Sequence, residues 1–448
     1  MALLTSQEAE RILQKTLSFS KADEMQAQLF GNRQAYNRFG VNSASTSGDG
    51  ENITLVINSH FGQKGGVATT NTLDDAGLER VVRAAEEIAR LRPDNPEQMP
   101  FLGKQAFQDN PAAYDEATYN AGAETRTSGI GATIDGAKPK NLVAAGIYDN
   151  SGGFQAMANT KGLFGYSRQS LASYTTTVRT ADGTGSGWAS AMSHRISSID
   201  AKAVGARAID KAVLSQNPVA IEPGNYTVIL EPNAVGDLVS FMFNFFDARQ
   251  ADEGRSFLSK RGGGNRAGEK FFGEQVNLYT DPYDPRLPGQ PFDGDGLPNT
   301  KYDFVRSGVI KQLNYSRYWA KKQNVEVNPG PANLIMDGGN ASIDDMIKST
   351  ERGVLVTRLW YIRLVDPQTV LLTGLTRDGT FLIEGGKIKS AIKNFRFNET
   401  PVKMLNNIDA MSPVVRITGS ERVGEGFPIL APALKVRDFA FTSLSDAV

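Results

Sequence analysis

The chain contains no cysteine and only two histidines, His60 and His194, among its 448 residues. Without cysteine it can form no disulfide, iron–sulfur cluster or catalytic thiolate, so packing and hydrogen bonding must hold the fold together. A zinc site usually needs about three or four His, Cys, Asp or Glu ligands. Here only carboxylates and two histidines far apart in the sequence could supply them. A lone histidine is most often a satisfied structural residue, and we expect this of both.

Charge and hydropathy indicate neither a nucleic-acid partner nor a membrane. Lysine plus arginine (48) nearly balances aspartate plus glutamate (49), which leaves a net charge of −1 and no basic field. The first ten residues lack the basic and apolar regions of a signal peptide. No run of about 18 apolar residues predicts a transmembrane helix. The absence of cysteine fits a reducing compartment, and we expect a cytoplasmic protein.

Hydrophobic periodicity predicts an α+β fold in two domains, at residues 1–218 and 219–448. The 45 glycines favour sheets and turns over a helical bundle. The first domain is predicted as an α/β unit in which helices accompany a meander of short strands, and Pro218 marks its end. The predicted helices span 6–19, 73–91, 113–134 and 198–214, and the strands include 25–30, 53–59, 142–148 and 154–159, with a turn at 150–153.

The second domain is predicted to be mostly β, with a helix after its first strand. That strand covers 226–230, and the helix begins at Pro232. Two-residue turns predict β-hairpins at 307–308, 378–379 and 385–386. A run at 354–365 carries apolar side chains on both faces, which is typical of a strand covered on both sides. The apolar residues of the helix recur at helical spacing, and they are Val235, Leu238, Val239, Met242, Phe245 and Phe246.

Two segments approach known ligand-binding motifs without matching them. In the glycine-rich segment 261–270, Gly263 and Gly268 have the spacing of a P-loop, but Glu269 stands where the phosphate-binding lysine is needed. The Asp- and Pro-rich segment 281–303 lacks the terminal bidentate Glu of an EF-hand calcium loop. We interpret both segments as surface loops.

The strand predicted at 354–365 carries Arg358, Trp360 and Arg363, and two interpretations of these residues remain open. It can be a core strand whose arginines reach partners at its ends. It can instead line a groove that binds an extended peptide, with an arginine holding a carboxylate or carbonyl group. Together with Arg377, these three residues are our candidate substrate-binding residues.

The second domain contains four distinctive segments, which are PFDGDG at 291–296, STERGVLVTRLWY at 349–361, TGLTRDGTF at 373–381 and NFRFNE at 394–399. They resemble signatures of the TldD/PmbA family, whose members are also called modulators of gyrase. The resemblance is strong from about residue 220 onward and weaker, though compatible in layout, before it. It implies a cytosolic zinc-dependent protease built from two related subunits. The catalytic subunit would carry His-Glu-x-x-x-His on the helix after the strand at 226–230, a further cysteine ligand near the C-terminus, and a Glu that activates the zinc-bound water.

This chain departs from the catalytic pattern at every expected ligand. Alignment on the family's proline at Pro232 places Ser240, Phe241 and Phe245 where the motif has His, Glu and His. No histidine or glutamate occurs anywhere in 232–251, and the segment 417–422 has no cysteine. The resemblance therefore implies the PmbA-like or TldE-type branch, which lacks the zinc motif. We expect no catalytic residue and no cofactor on this chain, with zinc on the partner subunit.

The resemblance also implies the partners. We expect a heterodimer with a TldD-like catalytic subunit, in which this chain helps bind an unfolded or extended peptide for proteolysis or maturation. The alternative is a homodimeric peptide-binding or scaffold protein that pairs with itself and has no protease activity. A hydrolase that uses its own carboxylates is least favoured, because no two acids are paired at a defined spacing on one element.

Overall fold

The N-terminal half is built on one antiparallel sheet of long strands. The structure is a computed structural model that describes residues 3–419 and 427–445. The strands are β1 (Glu24–Gly40), β2 (Ser43–Phe61), β3 (Lys64–Thr70), β4 (Leu142–Asn159), β5 (Phe164–Thr180) and β6 (Ser186–Ser193). They form a six-stranded sheet in the order β3-β2-β1-β4-β5-β6. The domain is therefore α/β, as predicted, although its strands are much longer than the predicted meander.

Helices pack against this sheet and bury two apolar clusters. The predicted helix at 6–19 is confirmed, because the side chains of Thr5 and Glu8 form the capping box that begins it. One cluster lies under the first two helices and the other under the last two long ones. None of the described helices is long and apolar enough to cross a membrane. The helices are α1 (Ser6–Ser18), α2 (Asp75–Leu91), α3 (Glu116–Tyr119), α4 (Ala123–Ala137) and α5 (Ala201–Leu214).

Two local predictions in this half are wrong. The turn predicted at 150–153 is part of β4, which runs unbroken between β1 and β5. Glycine is needed there for close approach, since a Cβ on Gly153 would lie 2.1 Å from the carbonyl oxygen of Gly31. The helix predicted at 113–134 is divided into a 3₁₀ turn, α3 and α4. Asp115 caps α3 by accepting a 2.8 Å hydrogen bond from the Thr118 amide.

The C-terminal half contains two further sheets and is mostly β, as predicted. Its strands are β7 (Gly224–Leu230), β8 (Leu278–Thr280), β9 (Tyr302–Arg306), β10 (Val309–Ile310), β11 (Leu334–Met336), β12 (Arg352–Asp366), β13 (Leu371–Glu384), β14 (Lys387–Ala391), β15 (Phe395–Glu399), β16 (Ile408–Met411), β17 (Val415–Arg416), β18 (Ile429–Ala431) and β19 (Leu434–Leu444). One sheet has the order β10-β9-β8-β11-β18-β17. The other has the order β12-β7-β19-β15-β13-β14, and an additional β12–β13 pairing closes five of its strands into a ring.

The helix predicted after the first strand of this half is confirmed as α6. Pro232 occupies its first turn, and its apolar stripe is fully buried in the largest hydrophobic cluster of the described chain. The helix ends at Phe243, so Phe245 and Phe246 lie beyond it, although both pack against the same cluster. The helices of this half are α6 (Pro232–Phe243), α7 (Ala248–Asp252), α8 (Arg317–Gln323), α9 (Ile343–Lys348) and α10 (Pro401–Asn406).

One predicted hairpin is instead a β-bulge. Turns connect β9 to β10 and β13 to β14 as predicted, but residues 378–379 lie inside β13. Val356 pairs with Thr380 and Arg358 with Arg377, so Thr357 alone faces two residues of β13. Both of these have positive φ, 53° at Asp378 and 117° at Gly379.

The prediction that the 354–365 strand is covered on both sides holds only for its first part. Residues 353–359 of β12 are all buried. Beyond Trp360 the strand emerges, and Tyr361 and Val365 are 55% and 54% exposed. The first part lies between β7 and β13, whereas the last part no longer pairs with β7.

Candidate functional site

A cleft of about 1030 Å³ lies between the N-terminal sheet and the C-terminal domain. One wall comes from the N-terminal sheet, and the opposite wall comes from α6, β12, β17 and the start of β18. Polar side chains from both walls reach it. They include Gln155, Gln169, Ser170 and His194 on the N-terminal side, and Asp237, Ser240, Asn244, Arg363 and Arg416 on the other.

The sequence of α6 explains which of its residues face the cleft. The apolar stripe turns Val235, Leu238, Val239 and Met242 into the core. The opposite helix face, at three- and four-residue spacing, presents Asp237, Ser240, Phe241 and Asn244 to the cleft. Two of the three positions matching the zinc motif therefore face the cleft. The third, Phe245, packs against the core.

The residues at these positions do not fit a zinc ion. Zinc in proteins is bound by thiolate, imidazole or carboxylate ligands, and neither a phenyl ring nor a serine hydroxyl belongs to that set. Throughout residues 3–419 and 427–445, no three His, Cys, Asp or Glu side chains gather closely enough to hold a metal ion. Of the segment expected near a cysteine ligand, 417–419 lines the cleft. Residues 420–422 lie outside the described residues.

The segment after β17 is fixed against both α6 and the N-terminal sheet. Ile417 packs on the glycine of α6, since a Cβ on Gly236 would lie 1.9 Å from Ile417 Cδ1. The Thr418 amide donates to Asn233 Oδ1 at 3.1 Å, and the Thr418 hydroxyl donates to Ser190 Oγ at 2.8 Å. The cleft wall at this point is therefore held by two domains at once.

Arg416 is the cation that this segment places in the cleft. Its backbone pairs with Leu430 in the β17–β18 ladder. Its Nε is buried and forms no hydrogen bond with any described residue. Burial lowers the pKa of the guanidinium to about 10, which still leaves it charged at neutral pH. Arg416 could not be identified from the sequence, because no local motif distinguishes it.

His194 follows β6 on the opposite wall. The Ser170 hydroxyl donates to the His194 carbonyl oxygen at 2.7 Å, which fixes its backbone. Its imidazole Nδ1 is buried and has no hydrogen-bond partner among the described residues, so the expectation of a satisfied structural histidine is wrong here. Burial lowers the pKa of His194, and the positive charges of Arg416 and Arg195 lower it further.

His60, by contrast, is a structural residue as expected. It is 3% exposed, and its ring stacks on Phe101 with the centroids 4.1 Å apart. Its Nε2 lies 2.9 Å from the side-chain nitrogen of Gln98. Burial lowers the pKa of His60 as well.

The four candidate substrate-binding residues divide between two places. Only Arg363 lines the cleft, where its guanidinium lies 3.9 Å from the ring centroid of Tyr361. Arg358, Trp360 and Arg377 gather at the β13 bulge instead, with the two guanidinium groups 5.2 and 5.4 Å from the Trp360 ring centroid. Burial lowers the pKa of Arg377. The substrate role of the four residues stays a prediction.

Arg358 has a structural partner at the bulge. It is 8% exposed, and its Nε donates to Asp378 Oδ2 at 2.7 Å. The other carboxylate oxygen of Asp378 accepts a hydrogen bond from the Ser186 hydroxyl on β6. This arrangement matches the core-strand interpretation of Arg358, since the ion pair joins β12 to β13 and both to the N-terminal sheet.

The fold and the cleft define a class of two-domain α+β proteins in which a buried helix presents one face to an interdomain cleft. Two family models match this chain. One describes the PmbA/TldA metallopeptidase central domain and matches residues 119–216. The other describes the PmbA/TldA metallopeptidase C-terminal domain and matches residues 223–443. The chain therefore belongs to the PmbA/TldD metallopeptidase family.

Two curated relatives match parts of the chain. A metalloprotease from Archaeoglobus fulgidus is 24% identical over 207 residues, which cover 43% of this chain and 46% of the relative. A metalloprotease PmbA homologue from Buchnera aphidicola is 24% identical over 149 residues, covering 32% of each. The chain thus spans less than half the length of either relative.

Solved structures share the fold over nearly the whole chain. TldE from Thermococcus kodakarensis superposes with a TM-score of 0.85 at 19% identity, covering 98% of this chain and 100% of that one. A candidate modulator of a DNA gyrase from Thermotoga maritima gives 0.82 at 18% identity, covering 97% and 100%. A similar candidate modulator from Bacteroides thetaiotaomicron gives 0.84 at 17% identity, covering 99% and 100%.

Proposed function

We propose that this chain is the non-catalytic, TldE-type subunit of a heteromeric zinc metalloprotease. It pairs in the cytoplasm with a TldD-like subunit that carries the zinc, and it helps hold an unfolded or extended peptide for cleavage. One observation carries the proposal. Ser240 and Phe241 face the cleft at positions where the catalytic branch would place metal-site residues, and their side chains cannot serve as zinc ligands or as a general base.

The chemistry of the cleft supports a peptide as the bound molecule. An extended peptide presents amide donors and carbonyl acceptors along its length, and side-chain amides can satisfy both. Gln155, Gln169 and Asn244 line the cleft, and Gln290 donates to Gln169 Oε1 at 2.8 Å, which orients it. Phe241 adds apolar surface for a peptide side chain. A cleft of about 1030 Å³ has room for several residues of such a peptide.

An exposed strand end beside the cleft supports the proposal that a protein partner binds there. After Ile362 and Arg363, which line the cleft, β12 carries Leu364 and Val365 with 40% and 54% of their surface exposed. Tyr361 on the same strand is 55% exposed. Aromatic and aliphatic side chains grouped in this way are typical of protein interfaces. We therefore propose that the catalytic subunit docks at this strand end, beside the cleft.

The alternative is a homodimeric peptide-binding or scaffold protein, in which the same strand end would form the interface between two copies of this chain. The composition of the complex distinguishes the two. The purified chain is mixed with a TldD-like subunit from the same organism, and the mass of the assembly is measured. We expect one 48.4 kDa copy of this chain together with the catalytic subunit. A homodimer that persists unchanged in the presence of that subunit would support the alternative.

A further inference from the structure

We infer that Arg416 and His194 form a carboxylate-binding subsite in the interdomain cleft. The inference deepens the proposed function, because it rests on a peptide occupying this cleft. The carboxylate would be either the C-terminus of the peptide or an Asp or Glu side chain within it. Both sources present the same planar anion to the guanidinium group.

Arg416 has a buried guanidinium Nε that forms no hydrogen bond with a described residue. A buried charge is costly unless an opposite charge or a set of hydrogen bonds compensates it. Within the described chain, Arg416 forms no ion pair, and its buried Nε has no acceptor. Burial lowers the pKa of Arg416, and no carboxylate among the described residues acts against that shift. An anionic ligand in the cleft would supply the missing partner.

The backbone that carries the Arg416 side chain is held in place. The β17–β18 ladder fixes the Arg416 backbone on one side, and two residues later Thr418 is bound to Asn233 and Ser190. A cation on so constrained a segment loses little freedom when it binds a ligand. The site is therefore built before the ligand arrives.

His194 supplies a second hydrogen-bond donor from the opposite wall of the cleft. Its backbone is fixed by Ser170, and its side chain lines the same cleft as Arg416. Burial and the charge of Arg416 keep its pKa below the ordinary histidine value. The neutral imidazole therefore offers an N–H donor at neutral pH without adding a second positive charge.

The chemistry favours a carboxylate over a phosphate. A guanidinium group binds the two oxygens of a carboxylate through parallel N–H donors. The other charged groups among the described lining residues are Asp237 and Arg363. Both have interactions of their own, although Asp237 Oδ2 is buried and accepts no hydrogen bond from a described residue. Among the described residues that line the cleft, the opposite charges of Asp237 and Arg363 balance, which leaves the single positive charge of Arg416. That charge balances a carboxylate but not the two charges of a phosphate.

The test uses the fact that this chain has only two histidines. Histidine labelled at Cε1 gives two NMR signals, and His60, which lies in the N-terminal core away from the cleft, is an internal control. The full chain is titrated with an unstructured peptide in three forms, which have a free C-terminus, an amidated C-terminus, or every Asp and Glu replaced by its amide. Peptide affinity is measured in parallel by fluorescence anisotropy.

We expect the His194 signal to move on peptide binding while the His60 signal stays in place. Removing the responsible carboxylate should weaken binding by about tenfold or more, because a charge-assisted hydrogen bond is lost. Loss on amidation identifies the C-terminus as the source, and loss on Asp/Glu replacement identifies the side chain. Arg416→Met should remove the preference for a carboxylate, whereas Arg416→Lys should keep part of it. An unchanged His60 signal shows that the variants are folded.

Other results separate the inference from the proposed function. Equal binding of all three peptides, unaffected by Arg416→Met, would overturn the subsite and leave peptide binding intact. If no peptide binds, the proposed function fails, and acetate then tests the subsite alone. A saturable acetate shift at His194 that Arg416→Met abolishes would support the subsite, and its absence would overturn it. Inorganic phosphate binding more tightly than acetate would also overturn it, because the site would then select a dianion.

Discussion

Arg358 on β12 donates from Nε to Asp378 Oδ2 on β13 at 2.7 Å, and both side chains are almost completely buried. Asp378 stands at a β-bulge and also accepts the hydroxyl of Ser186 from the N-terminal sheet. A single carboxylate thus joins two strands of the C-terminal ring to the other domain. The two domains are therefore in contact at the middle of β12, whereas Ile362 and Arg363 farther along the strand line the cleft.

Arg358→Met should therefore destabilise the protein strongly. The substitution leaves Asp378 as a buried carboxylate without its cation, and breaking such a pair costs about 3 kcal/mol or more. Urea unfolding followed by circular dichroism measures the change in the free energy of unfolding. Arg352→Met on the same strand is the matched control, because Arg352 is exposed, and it should cost less than about 0.5 kcal/mol. Equal effects of the two variants would show that the ion pair contributes nothing.

Gly379→Ala should destabilise the bulge. Gly379 has a φ of 117°, and a Cβ there would lie 2.8 Å from Thr357 Oγ1. Backbone strain of this kind costs about 1–3 kcal/mol. Gly40→Ala is the control, since Gly40 has an ordinary φ and nothing within 4 Å of an added Cβ. Thermal and urea unfolding of the two variants should separate them. A Gly379→Ala variant as stable as the control would contradict the bulge geometry.

The bulge also shows which parts of the fold the sequence could predict. The capping box of Thr5 and Glu8 lies within four residues, so the start of α1 is readable from the sequence. Asp378 and Gly379 adopt the positive φ angles of a hairpin turn, and only the partner strand makes the site a bulge. Gly153 is similar, because the backbone that leaves no room for a Cβ at this position belongs to another strand, β1. These are non-local contacts that one sequence does not display.

The same limit applies to the cleft. The helical period of α6 predicts which side of the helix faces the core. The family resemblance predicts that Ser240, Phe241 and Phe245 occupy the positions of the zinc motif. No sequence pattern predicts the role of Arg416, because the elements that surround it, β6, α6 and β18, are distant from one another in sequence. Its importance depends on the missing acceptor at Nε, which only the assembled fold reveals.

The stability of the protein should fall as the pH is lowered through the histidine range. Burial places the folded-state pKa of His194 below the ordinary value of 6.5. The unfolded chain therefore binds the proton first, so His194 favours folding fully above about pH 7 and progressively less below about pH 6.5. Urea midpoints from about pH 8 to about pH 5.5 measure this for the wild type and for His194→Gln. The variant should lose less stability on acidification, and an identical pH profile would contradict the assignment.

The purified chain should contain far less than one zinc ion per molecule after incubation with zinc and desalting. Neither Ser240 nor Phe241 supplies a zinc ligand, and in residues 3–419 and 427–445 no cluster of His, Cys, Asp or Glu could replace them. Elemental analysis of the desalted protein provides the measurement. Stoichiometric zinc that a chelator removes would place a metal site on this chain and revive an autonomous hydrolase.

If the proteolytic chemistry lies on a partner subunit, peptide cleavage must depend on that subunit. An unfolded peptide is incubated with zinc and with this chain alone, a TldD-like subunit alone, or both together, and the products are identified by mass spectrometry. We expect chelator-sensitive cleavage by the mixture, faster than by the catalytic subunit alone, and none by this chain alone. Robust chelator-sensitive cleavage by the purified chain without the partner would contradict it.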